Sequence, residues 1–135
     1  MRIAFGTDED GALAGAVVGH LADRGEDVDV VARPARWPEV GRDVGEKVAS
    51  GQADMGIVCC WTGTGVCMAA NKVKGVRAAL CSDAPTASGA RRWNDANVLA
   101  LSIRSVSEAV AFEIVDAFLA GQPDPGEADA IAAIE

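Results

Sequence analysis

Short apolar runs with strand spacing alternate with amphipathic helical runs along this whole chain, and that alternation constrains the fold more than any other feature. "RIAFG" (2–6), "DVDVVA" (27–32), "ADMGIVC" (53–59), "GVRAALC" (75–81) and "NVLALS" (97–102) are rich in Val, Ile, Leu and Ala and bounded by Gly, Asp or Asn, as buried strands are. Between and after them, residues 12–25, 39–51, 65–75, 86–96 and 105–121 carry apolar side chains at helical spacing. Gly25, Gly51, Gly75 and Gly121 stand where left-handed C-terminal caps belong. Strict alternation implies right-handed crossovers and a sheet covered on both faces. The expected fold is a doubly wound, Rossmann-like, three-layer α/β domain with a five-stranded parallel sheet. With 135 residues, half of them hydrophobic, the chain suits one domain over 1–135. Residues 121–135 form a Pro- and Gly-punctuated tail with a short helical end, packed on the domain or on a partner subunit.

A net charge of −8 argues against nucleic acid and anionic membranes as partners. No apolar segment approaches the roughly 20 residues of a membrane span, and a cytoplasmic location is expected. Cys59, Cys60, Cys67 and Cys81 cluster at strand ends and in a glycine loop rather than spreading through loops, so reduced thiols are expected. No metal is expected, because His20 is the sole histidine and no C-x2-C pair is present. His20 itself reads as an ordinary surface residue, and Trp37, between Pro34 and Pro38, as a loop anchor.

Ligands of such sheets bind beyond the carboxyl ends of the strands. The polar segments there are "GTDED" after the first strand, "CCWTGTG" after the third, "CSDAPT" after the fourth and "LSIRS" after the fifth. "GTGVCMA" (63–69) precedes a helix, with Asp83 about 20 residues on, which is the outline of a dinucleotide fingerprint. It occupies the third βα turn rather than the first, and the first carries three acids; a nucleotide- or anion-binding module stays as an alternative. Asp83 is also placed to cap the fourth helix. Cys60 ends the third strand, where the field of the following helix favours a thiolate, the form that acts as base or nucleophile. Cys59 points to the other face and is expected to be buried.

"GTDEDG" (6–11), "GIVCCWTGTGVCMAANKVKGVRAALCSDAPTA" (56–87) and "RRWNDANVLALSIRSV" (91–106) together resemble the type B ribose-5-phosphate isomerases and their galactose-6-phosphate isomerase relatives over nearly the whole chain. The resemblance implies an aldose–ketose isomerase of small sugars or sugar phosphates, with no cofactor. It also implies a homodimer or dimer of dimers with active sites at the interface. Carried over by position, Cys60 is the catalytic base and Thr62 lies in the loop beside it; Glu9, or Asp8, is the candidate proton shuttle. The amides from Trp61 through Gly63 and Thr64 to Gly65 stabilise an enediolate, Asp8 holds sugar hydroxyls, and Asn94 binds the intermediate. In relatives that use a glutamate base, the matching position here is Val66, so the cysteine chemistry is the one available.

The departures from the family pattern are specific. Glu9 stands where the family has His, Trp93 where it has the ring-opening His, Trp61 where it has Gly, and the tail offers acids and alanines instead of phosphate-binding Arg and His. Arg104, with Arg91, remains as an anion ligand. Trp61 and Trp93 are expected to face the site as stacking walls for a sugar. Ribose 5-phosphate is therefore disfavoured against a tetrulose 4-phosphate, which cannot close a furanose ring, or an unphosphorylated sugar. A half-site subunit that needs a paralogous partner subunit is the alternative within the family.

Overall fold

The computed structural model describes residues 1–135. Strand β1 (Arg2–Thr7) leads through helix α1 (Ala12–Asp23) to β2 (Asp27–Ala32), α2 (Trp37–Ala49), β3 (Met55–Cys60) and α3 (Thr64–Asn71). β4 (Ala78–Leu80), α4 (Ala84–Asn94), β5 (Val98–Ser102) and α5 (Glu108–Ala120) follow, then a 3-10 turn (Pro125–Glu127) and α6 (Ala128–Ala133). All strands are parallel, in the order β2-β1-β3-β5-β4. The expected doubly wound five-stranded fold is thus the observed one.

The three central strands are buried along nearly their full length and the two edge strands are not, which follows from helices covering both faces. Asp27 and Asp29 face solvent on edge strand β2, where charge discourages pairing with another sheet. Side chains alternate between two cores. Phe5, Ile57, Cys59, Leu99 and Leu101 pack with α1, α4 and α5, while Ala4, Val58, Cys60 and Ala100 pack with α2 and α3.

Gly25 and Gly51, with φ of 80° and 78°, directly follow the C-caps of α1 and α2 and close those helices as expected; Gly75, φ 90°, lies three residues past Lys72, the C-cap of α3, in the turn that leads to β4. Gly121 is the C-cap of α5 but is not left-handed, with φ of −74°. Its missing side chain serves packing instead, since a Cβ there would lie 2.5 Å from Cβ of Arg91. Asp83 caps α4 by accepting from the Thr86 amide at 2.7 Å, a bond that also holds its carboxyl below the usual range. His20 is no ordinary surface residue. α5 lies alongside α1, so the imidazole stacks on Phe112 at 4.3 Å and its Nε2 meets Asp116 at 2.7 Å. The tail packs on its own domain: the Asp124 amide donates to the Arg92 carbonyl at 2.8 Å, and Glu135 pairs with Arg77.

Candidate active site

Thr7 pairs with Cys59, so the carboxyl ends of β1 and β3 lie side by side. From β1 the chain turns toward β2, and from β3 toward the opposite edge, which makes this the switch point of the sheet. Asp8 and Glu9 leave one strand here; Cys60 ends the other.

The turn from β3 into α3 depends on Gly63. Its φ is 76°, and a Cβ would fall 2.5 Å from Cδ1 of Leu80 and 3.0 Å from the backbone of Leu101 and Ser102. No other residue lets the chain turn this tightly against β5. As the N-cap of α3, Gly63 also supplies no side-chain acceptor, so the first-turn amides of Thr64 and Gly65 remain available to an anionic oxygen. Thr62 and Thr64 are exposed, and their hydroxyls meet at 2.7 Å. The strand after next holds this loop in place. The amides of Ile103 and Arg104 donate to the carbonyls of Cys60 and Trp61 at 2.9 and 3.0 Å, and Ser102 Oγ also donates to Trp61 at 3.0 Å. The Arg104 side chain stays exposed and forms no ion pair within the chain, leaving a free guanidinium at the rim.

The cysteines divide by environment. Burial pushes the Cys59 thiol up to about 12 and the Cys81 thiol up to about 11, and it raises Cys67 as well. All three are neutral at neutral pH and poor bases. Cys60 sits at the strand end, 5% exposed, directly before the loop of hydroxyls and amides.

Across the switch point the Asp8 amide donates to the Cys59 carbonyl at 3.1 Å. Asp8 Oδ1 is buried without a hydrogen-bond partner. Burial first, and the neighbouring Glu9 second, push its carboxyl above the ordinary value, which suits a group that gives and takes a proton. A raised carboxyl favours folding while protonated, and the advantage is lost as pH rises through its folded value. Asp8→Asn should therefore raise the melting temperature at pH 7, with the gap over wild type closing on acidification below the carboxylate range, while turnover falls. A melting curve series across pH reads the first effect.

Asp8 lines a cleft of about 430 Å³ whose other wall is the β2–α2 segment Pro34–Pro38. Sequence reading missed this segment, naming loops after the other four strands only. Its Ala35 amide donates to the Thr7 carbonyl at 3.3 Å, folding the segment across the end of β1. Trp37, expected as a loop anchor, opens α2 and lays its ring on Gly65, 3.0 Å from where a Cβ would stand. The signal was available: an aromatic flanked by prolines directly beyond a strand's carboxyl end.

The structure does not bring Trp93 and Asn94 to Cys60 within one chain. They end α4, beside the amino end of β5, whereas Cys60 pairs with Ser102 at its carboxyl end. Four residues of strand separate the two levels, about 13 Å. Trp61 is 57% exposed at the mouth, and Trp93 lies against Gly89 on the far side. Arg91, expected as an anion ligand, is 4% exposed and committed to internal partners, because α4 packs that face inward against α5.

A thiol, a loop of hydroxyls and free amides, and a carboxyl shifted upward can move a proton beside a carbonyl and stabilise the resulting oxyanion. Comparison with known proteins gives the reaction class. Residues 3–133 match the family described as Ribose/Galactose Isomerase. The chain is 40% identical to ribose-5-phosphate isomerase B of Escherichia coli strain K12 over 99% of its length and 96% of that protein's. It is 33% identical to D-erythrulose-4-phosphate isomerase of Pectobacterium atrosepticum, over 93% and 87% of the two chains. The solved structure of Clostridium thermocellum ribose-5-phosphate isomerase B superposes with a TM-score of 0.94 at 38% identity, covering 99% and 95%. The chain belongs to the ribose/galactose isomerase family and is an aldose–ketose isomerase of the sugar-phosphate class.

Proposed function

We propose that this isomerase acts on a short-chain sugar phosphate, foremost a tetrulose 4-phosphate, with Cys60 as the base. The observation that carries this reading is the junction of Cys60 with the uncapped start of α3, facing Asp8 across the switch point. The Cys60 thiolate removes the proton on the carbon next to the carbonyl. The C–H electron pair forms the C=C bond of an enediolate, and the former carbonyl oxygen takes the negative charge. Amides of Thr64 and Gly65, with the Thr62 hydroxyl, bind that oxygen. Cys60 returns the proton to the adjacent carbon, and Asp8 or Glu9 carries the hydroxyl proton from one oxygen to the other.

Substrate choice follows from the replaced residues. Trp93, which has no titratable group, cannot act as the ring-opening acid, and a tetrulose 4-phosphate needs none because its terminal oxygen is esterified and no furanose ring forms. The similarity to an isomerase named for D-erythrulose 4-phosphate supports this choice. Phosphate falls to Arg104, since Arg91 is internal and Glu135 occupies Arg77. Asn94 and Trp93 serve the site of a second copy, which explains their distance from Cys60 in their own chain.

The test is solvent-deuterium exchange by NMR on C4, C5 and C6 aldoses and ketoses, with and without terminal phosphate. Exchange fastest with D-erythrulose 4-phosphate is the expected result; exchange fastest with ribose 5-phosphate would sink the substrate assignment. The composite site has its own check. Mixed and re-associated Cys60→Ala and Asn94→Ala proteins should recover about a quarter of wild-type activity, since half of the dimers are mixed and one of their two sites is intact.

A further inference from the structure

Directly after Asn94 the chain turns through Asp95, which has φ 48° and ψ 44°, a left-handed conformation that few side-chain-bearing residues adopt. Every acceptor of that residue is occupied. Arg91 Nη1 donates to Asp95 Oδ1 at 3.0 Å, Arg77 Nη2 to Oδ2 at 3.3 Å, and Arg77 Nε to the Asp95 carbonyl at 2.7 Å. The Arg91 guanidinium also donates to the Ala96 carbonyl at 2.5 Å and the Gly121 carbonyl at 3.4 Å, and lies 5.7 Å from the Phe118 ring centre. The absent side chain at Gly121 makes room for it.

By contrast, Asn94 is exposed, and its side chain bonds to nothing in its own chain. Trp93 beside it is 54% exposed and braced on Gly89. An internal ion pair adds little net stability, because desolvation offsets the attraction. What it does supply is orientation, and the two groups it orients are solvent-facing and unused within the chain.

We propose that Arg91 and Asp95 are positioning residues: they lock the corner after α4 so that Asn94 enters the site of a second copy in one orientation. The proposal rests on the reading above that Asn94 of one copy binds the intermediate at Cys60 of another. The pair would act on kcat, since a displaced enediolate ligand loses transition-state contact more than substrate affinity.

The experiment is a double-mutant cycle on the intact protein, assayed with D-erythrulose 4-phosphate and ribose 5-phosphate. Glycine adopts the left-handed corner without strain, so Asp95→Gly keeps the turn and removes the lock. Arg91→Met/Asp95→Gly is the second variant, leaving no unpaired guanidinium in the interior if the first fails to fold. Either should lower kcat about tenfold with KM little changed. In an Asn94→Ala background the same changes should have less than a twofold further effect, because the group they position is gone. An equal loss in both backgrounds, or wild-type kcat in Asp95→Gly, overturns the positioning role. Wild-type kcat in Asn94→Ala alone, or no turnover by the wild-type protein, overturns the composite-site reading beneath it and the proposal with it.

Discussion

Cys60→Ala should abolish detectable deuterium exchange, lowering turnover at least about a thousandfold, while the protein folds normally. The size follows from the role: a positioned general base contributes on the order of 10² to 10⁴ in rate. The other thiols cannot substitute. Cys59 faces the opposite core with its thiol pushed up to about 12, and Cys81 is pushed up to about 11. The structural cost is small, since losing one nearly buried sulfur at a strand end removes about 1 kcal/mol of packing. Circular dichroism melts separate the two effects. Residual turnover within tenfold of wild type would assign proton transfer to Asp8 or Glu9 instead.

Gly41→Ala should destabilise the domain by about 2 kcal/mol and weaken activity, although Gly41 is remote from the chemistry. α2 and α3 cross so closely that a Cβ at Gly41 would lie 2.5 Å from Cβ of Ala69, 2.8 Å from the Ala70 nitrogen and 2.8 Å from the Val66 oxygen. Backbone cannot step aside as a flexible side chain can, and such overpacking costs about 3 kcal/mol. Better helix propensity returns about 1 kcal/mol. For a chain of this size, the net change lowers the melting temperature by about 6–8 °C. Relief comes from moving α3, whose first turn carries the amides that bind the enediolate, so kcat should fall with stability. At Gly45 the same change meets side chains only, Val73 at 3.0 Å and Val76 at 3.4 Å, and should be much milder. Equal melting temperatures for the two variants would show that the helices separate freely.

Much of the fold is legible because burial writes directly into residue type. Strand β2 matches its apolar run at 27–32 without a shift, and the other strands agree to within a few residues. β4 is the poorest match, three residues against a seven-residue run. Two helix-ending glycines, Gly25 and Gly51, were readable from position alone; the need for glycine at Gly121 was not, since it comes from Arg91, thirty residues earlier in the chain.

The site was less legible. The loops around Cys60 follow from strand ends, which are local. Trp37 reads as a loop anchor in the sequence and not as a wall of the site, because its contact with Gly65 depends on how the β2–α2 segment folds across β1. Arg91 was read as an anion ligand because a cation's partners are invisible until α4 packs on α5.

By itself, then, the sequence determined the alternation of elements, the single sheet, the thiol at a strand end and the family. Each depends on spacing within a few residues, and local spacing is what a linear chain records. Only the tertiary structure decided the order β2-β1-β3-β5-β4, the wall that Trp37 adds to the Asp8 cleft, and the separation of Asn94 from Cys60. Those features arise where segments distant in sequence compete for the same surface, and the outcome depends on packing in three dimensions.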